Sequence, residues 1–124
     1  RQVYIAPGGR HIRVDSKGTD YVIRLSDEDP VEGLRPCANI MYDSLTKSRF
    51  DEITCVVLTG MGADGTKGIK NLKDAGRPIH VIGQDEQSCV VYGMPKALAQ
   101  AGLTDEVVPL NQIADAITKN VGVL

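Results

Sequence analysis

The sequence predicts an α/β fold, a doubly wound, mostly parallel sheet with an antiparallel β-hairpin extension. Three observations lead there. From Ile53 onward, short apolar runs alternate with segments of helical period, the grammar of helices covering a parallel sheet. Two of those runs, "ITCVVL" and "IHVIG", bracket one helix, so Ile53 to Gly83 reads as a single βαβ unit. Before Ile53, short runs that alternate inside and outside are separated by turn signals, as in antiparallel strands.

In chain order, "QVYIA" is apolar-rich and reads as a strand, followed by the turn signal "PGGRH". "IRVD" and "YVIRL" are half-buried strands separated by the turn "SKGTD". "SDEDPVEGLRP" is an exposed connection punctuated by Pro30 and Pro36. Cys37, Met41 and Leu45 recur every four residues and predict a helix from Cys37 to about Ser48. "ITCVVL" is a strand covered on both faces. A helix follows from Gly65 to Ala75, with Ile69 and Leu72 on one face, Gly76 at its end and Pro78 beyond. After the strand "IHVIG", "QDEQSCVVYGMPKALAQAG" is a loop leading into a helix, with Pro95 in its first turn and Gly102 at its close. "EVVPL" is a short strand with Pro109 at its end, and Asn111 caps a last helix on which Ile113, Ile117 and Val121 share a face.

Bulk properties narrow the function. A 42% hydrophobic, 24% charged chain of 124 residues is ordinary for one globular domain or a piece of one. The net charge of −2, with no clustered Lys and Arg, lacks the electrostatic footprint of a nucleic-acid binder. Apolar runs are far too short for a membrane span, and no signal-peptide pattern opens the sequence. Arg1 in place of a starting Met suggests part of a longer chain. Cys37, Cys55 and Cys89 are odd in number and lack C-x-x-C spacing, so they read as small hydrophobes in a reducing cytoplasm. Cys89, in a loop, is the alternative reading as a nucleophilic thiol. No set of His, Cys, Asp and Glu has metal-ligand spacing.

"VVLTGMGADGTKG" (Val56 to Gly68) carries the chemistry. Gly60, Gly62 and Gly65 match the G-x-G-x-x-G of a dinucleotide loop, and Asp85 falls where an acidic residue would meet a ribose. Asp64 opposes that reading. It would place a charge beside the pyrophosphate, costing roughly 4 kcal/mol per charge pair at about 4 Å and an effective dielectric near 20. Two other readings stay open on composition: Asp64 caps the following helix, or it projects over the carboxyl end of the strand as the acid of a Ser-His-Asp triad.

Resemblance separates them. "YIAPGGRH", the "RP" before Cys37, "VVLTGMGADGTKG" and "QDEQSCVVYGMPKALAQAG" closely resemble, in order, the catalytic domain of the CheB-type chemotaxis methylesterases. The resemblance implies hydrolysis of glutamate methyl esters on chemoreceptors, deamidation of receptor glutamines in many members, and a phosphorylatable receiver domain before the catalytic domain. It implies that Asp64 is the triad acid and that the backbone N–H of Met61 binds the oxyanion. No cofactor and no metal are expected. The expected partners are the methylated cytoplasmic helices of chemoreceptors and, in a full-length parent, the receiver domain.

The family's nucleophilic serine, in a G-A-S-T-G-G type stretch, and its histidine, in a Q-H-M-P type stretch, do not occur here. None of the serines sits in a glycine-flanked elbow, and Ser88 reads as a helix cap. His11 belongs to the "PGGRH" turn, and His80 reads as packed against a helix. Residues 1–124 are therefore expected to be the C-terminal portion of a methylesterase catalytic domain, its sheet incomplete at the N-terminal side. Such a chain is expected to be inactive alone, and to self-associate through an uncovered strand edge or be marginally stable. The rival reading is a non-catalytic fragment or binding module of the same fold, and a dinucleotide-binding half-domain comes third.

Overall fold

The alternating runs near the N-terminus pair with each other. A computed structural model describes residues 2–122, in which β1 (His11–Lys17) and β2 (Asp20–Ser26) form an antiparallel hairpin. Its register sets Arg13 opposite Arg24, a like-charge pair that costs stability. Each guanidinium has its own carboxylate, Arg13 with Glu28 at 2.7 Å and Arg24 with Asp15. The bond from Arg13 holds the Glu28 carboxyl down to about 2. The strand expected over "QVYIA" is absent. Residues 2–7 have no regular structure, and Val3 and Ile5 are exposed. A strand needs a neighbour for its N–H and C=O groups, and no strand among the described residues supplies one.

α1 (Ala38–Asp43) is shorter than its apolar spacing predicts. Hydroxyls curtail it. Ser44 Oγ donates to the Met41 carbonyl at 2.6 Å, Thr46 Oγ1 to Asp43 at 2.9 Å and Ser48 Oγ to Leu45 at 2.7 Å. These local bonds compete with the helical ladder, and the chain goes on in tight turns that still bury Leu45. Ser44 Oγ also accepts the Val14 N–H, tying this turn to β1.

The rest follows as β3 (Ile53–Val57), α2 (Thr66–Asp74), β4 (Ile79–Gln84), α3 (Met94–Gln100), β5 (Glu106–Val108) and α4 (Leu110–Val121). The strands lie parallel in the order β3-β4-β5. Alternation divides their side chains between two faces. Cys55, Val57 and Val81 pack with Tyr42, Ile69, Leu72, Leu98 and Leu103 beneath α1, α2 and α3. Val56, Ile82 and Val108 pack with Ile113, Ala116 and Ile117 of α4 on the other face. Helices on both faces make the sheet doubly wound. Full burial of Ile69, Leu72, Ile82 and Leu98 contributes about 1.5–3 kcal/mol each. Burial also pushes the Cys55 thiol up to about 12, so it behaves as a hydrophobe.

α2 ends where Gly76 predicts, with the Gly76 N–H on the Lys73 carbonyl and the Arg77 N–H on Leu72. α4 starts two residues earlier than Asn111 as its cap would set it. Pro109 holds the N-cap position, and Ser88 Oγ accepts the Leu110 N–H at 3.0 Å from another loop. β3 pairs only with β4 among the described strands. Beside it the hairpin, β3 and α4 line an apolar groove of about 1120 Å³ that includes Tyr4, Tyr21, Ile23, Phe50, Ile53 and Ile117. Among the described residues no helix is long and apolar enough to cross a membrane.

α1 meets α2 at Gly68, where a Cβ would lie 2.8 Å from both the Asn39 carbonyl oxygen and Tyr42 Cβ. Gly68→Ala gains at most about 1 kcal/mol of helix propensity. Overpacking against backbone costs about 1–3 kcal/mol. The clash is expected to win, lowering stability by about 1–2 kcal/mol in urea denaturation. An unchanged or higher midpoint would show that α1 yields at this contact.

Candidate functional site

The parallel strands bring the loops after β3 and β4 to one edge of the sheet. Residues 58–65 leave β3, and Gly60 forms a parallel bridge with Tyr92 of the following loop. The Gly60 N–H donates to the Val91 carbonyl at 3.1 Å, and the Met94 N–H donates to the Gly60 carbonyl at 2.9 Å. Gly93 permits this approach, since a Cβ there would sit 2.6 Å from the Gly60 oxygen. Gly62 and Gly65 take φ of 92° and 101°, a region that side chains other than glycine's rarely enter. The glycines shape a tight loop with Met61 and Asp64 inside it.

Asp64 is half-buried and caps a helix, although not the one it precedes. Its Oδ2 accepts the Ala38 N–H at 2.7 Å, and its Oδ1 accepts the Asn39 N–H at 2.9 Å. Both amides belong to the first turn of α1, whose own N-cap residue, Cys37, makes no side-chain cap bond. The Cys37 thiol donates to the same Oδ1 at 3.2 Å. α2 is capped in return by α1. Asn39 Oδ1 accepts the Gly65 and Gly68 N–H groups, each at 2.9 Å. Two helices thus cap each other across the junction closed at Gly68.

Three donors fix the Asp64 carboxylate and leave Oδ2 with one acceptor position. Three residues earlier, Met61 is 86% exposed, and its N–H meets no acceptor among the described residues. A held carboxylate and a free amide on one loop can orient an imidazole and bind an oxyanion. The same geometry disfavours a nucleotide phosphate. The Gly65 and Gly68 amides that would cradle it are taken by Asn39, and Asp85 is bonded to Ser88.

Neither histidine reaches Asp64. His11 is fully buried at the start of β1 rather than in the turn, with Nε2 2.9 Å from the Asp29 carbonyl. His80 lies near the amino end of β4, at the opposite edge of the sheet. Its Nε2 is 3.0 Å from Glu106 Oε2, beside Lys119 and Asn120 of α4. Ser88 Oγ is engaged by Asp85 and by Leu110, so it caps α4. Cys37, although against Asp64, is 2% exposed, and burial raises its thiol above the ordinary value. No group of three or more His, Cys, Asp or Glu side chains among the described residues is placed to hold a metal.

Two residues escaped the sequence reading. Asn39 gave a faint signal, since asparagine is disfavoured inside helices unless its amide has a partner. Gln84 ends an apolar strand, and only its burial at 1% exposure reveals that its side chain is in use.

Known proteins share this chain's sequence family and fold. The family model for CheB methylesterase matches residues 1–117. A protein-glutamate methylesterase/protein-glutamine glutaminase of Desulfotalea psychrophila is 45% identical over 120 residues, covering 95% of this chain and 32% of that protein. A similarly named protein of Saccharophagus degradans is 46% identical over 119 residues, 96% of this chain and 32% of its own length. The crystal structure of the Thermotoga maritima CheB methylesterase catalytic domain superposes with a TM-score of 0.86 at 34% identity. That match covers 94% of this chain and 60% of the solved one. The chain spans about a third of the length of the curated relatives it matches.

Reciprocal capping makes a thermodynamic prediction. Asp64→Ala strands two α1 amides, and Asn39→Ala strands two α2 amides; each is expected to cost about 1–3 kcal/mol. Because the caps share one junction, the double variant should depart from additivity by about 0.5–3 kcal/mol in urea unfolding. Strict additivity would mean that the two helices are capped independently.

Proposed function

The chain belongs to the CheB methylesterase family, and on that premise we propose that residues 1–124 form the C-terminal portion of a serine-type methylesterase catalytic domain. Asp64 is its triad acid, and the Met61 N–H is an oxyanion donor. The observation that carries this reading is the Asp64 carboxylate, immobilised by three donors on the loop that presents the Met61 amide. The substrate is a methyl-esterified glutamate on the cytoplasmic helices of a chemoreceptor, with receptor glutamine as a second substrate. A receiver domain in the full-length protein is part of the same reading.

In the intact enzyme, serine and histidine come from residues outside this chain. The serine oxygen attacks the ester carbonyl carbon while the histidine takes the hydroxyl proton. Asp64 Oδ2 accepts the N–H of the imidazole's other nitrogen, holding the tautomer and stabilising the imidazolium. The carbonyl oxygen becomes an oxyanion bonded by the Met61 N–H. Collapse breaks the bond to the methoxy oxygen, which leaves as methanol with the proton from histidine. Water then cleaves the acyl-enzyme by the same steps reversed, giving the glutamate carboxylate and free serine. An amide substrate differs only in releasing ammonia.

In a full-length methylesterase carrying this segment, Asp64→Asn should lower kcat by about 10³–10⁴-fold. Circular dichroism should show the fold retained. A loss below about tenfold would reduce Asp64 to a structural cap. Chain 1–124 alone should not turn over methyl esters.

The open edge of β3 and the adjoining apolar groove support a second part of the proposal, that chain 1–124 by itself associates with another copy there. Sedimentation velocity at micromolar concentration should reveal dimers or larger species. A monomer throughout would refute it.

A further inference from the structure

We propose that Gln84 is a positioning residue for the ester hydrolysis, fixing the Thr59–Met61 segment so that the Met61 N–H meets the oxyanion; this rests on the reading of Met61 given above. Gln84 ends the central strand of the parallel sheet and is 1% exposed. It stands where β3 parts from β4. The ladder's last pair is Val57 with Gly83, and beyond it a side chain replaces the backbone rung. Gln84 Oε1 accepts the Thr59 N–H at 2.8 Å. Its Nε2 donates to the Ser88 carbonyl at 2.8 Å and to Ser88 Oγ at 3.2 Å. These partners determine the orientation of the amide, since only the oxygen can face an N–H and only the nitrogen a carbonyl.

The bonds continue in both directions. Thr59 Oγ1 accepts the Val91 N–H at 2.9 Å and donates to the Val91 carbonyl at 3.1 Å. Gly60 then bonds to Val91 and Met94 through its backbone. The strapped segment ends there, and Met61 follows with its amide unused. On the other side, Ser88 Oγ donates to Asp85 at 2.6 Å and accepts the Leu110 N–H at 3.0 Å, while the Asp85 N–H bonds to the Val108 carbonyl at 3.0 Å. The loops after all three parallel strands are therefore joined through one buried amide. Loss of that amide frees the Thr59 N–H and loosens the segment leading to Met61. An oxyanion donor acts only at its proper distance, so a small displacement lowers kcat while leaving substrate docking on other surfaces alone.

Two measurements test this. In isotope-labelled chain 1–124, Gln84→Met should speed amide exchange at Thr59 and Gly60, the bonded amides that lead to Met61, at least tenfold relative to Val81 in the sheet. Gln84→Glu should make the same resonances titrate. The introduced carboxyl, when protonated, can still donate to the Ser88 carbonyl and accept from Thr59; when ionised it repels that carbonyl. This second variant decides the matter if Gln84→Met does not fold. In a full-length methylesterase carrying the segment, kcat per folded molecule should fall by up to about 10²-fold, with KM changed less than threefold. Unchanged loop exchange and resonances overturn the inference. So does a loosened loop with unchanged kcat in an enzyme that Asp64→Asn disables. If Asp64→Asn leaves activity intact, the esterase reading of Asp64 fails instead, and the loop exchange still decides whether Gln84 holds the segment.

Discussion

The contact on which this structure depends is the exchange of caps between α1 and α2. Asp64 closes the start of α1 and Asn39 closes the start of α2, with 2.7–2.9 Å bonds to four backbone amides. Hydrogen bonds to a charged group contribute about 1.5–3 kcal/mol each, more than neutral ones, so the carboxylate half of the exchange is the stronger. α1 is only six residues long and would have little stability alone. Gly68 lets the two helix backbones approach closely enough for short side chains to reach across. Without that approach Asp64 would point at solvent and its loop would lose its anchor.

In the proposed mechanism the same carboxylate serves stability and chemistry together. A triad acid must hold one orientation while keeping a lone pair for its histidine. Backbone amides are suitable holders, because they cannot rotate away and carry no competing charge. Cys37 adds a weaker donor that remains a thiol because burial opposes its ionisation. The site is built as a rigid support first, with the chemical groups at its rim.

A second support lies under the Met61 end of the loop. Gln84 extends the sheet by one side-chain rung, and Gly93 removes the bulk that would keep the two loops apart. Together the two supports fix both ends of a loop whose middle is exposed. The Met61 amide, with no acceptor among the described residues, is left to solvent and stays open to an incoming acceptor.

Much of this was legible in the sequence. Apolar runs at Ile53 and Ile79 with one helix between them require parallel strands, and parallel strands bring the Gly60 and Tyr92 loops to one edge. Gly76, Pro95 and Gly102 mark helix ends through local backbone chemistry, which needs no tertiary context. The local rules failed where a distant partner intervened. "QVYIA" has strand composition but no adjoining strand among the described residues. The helix after Cys37 stops early because Ser44, Thr46 and Ser48 turn their hydroxyls on its carbonyls. Asn111 loses the cap position to Pro109 and to Ser88, which lies 22 residues before the Leu110 whose N–H it accepts. Asp64 reads from the sequence as a cap of the helix that follows it or as a triad acid, and the helix it does cap begins 26 residues upstream. Periodicity and turn chemistry act between neighbours in the chain, so the sequence by itself determined the order and direction of the elements. Which donor meets which acceptor depends on separations of a few ångströms between remote segments, and only the packed tertiary structure decides those.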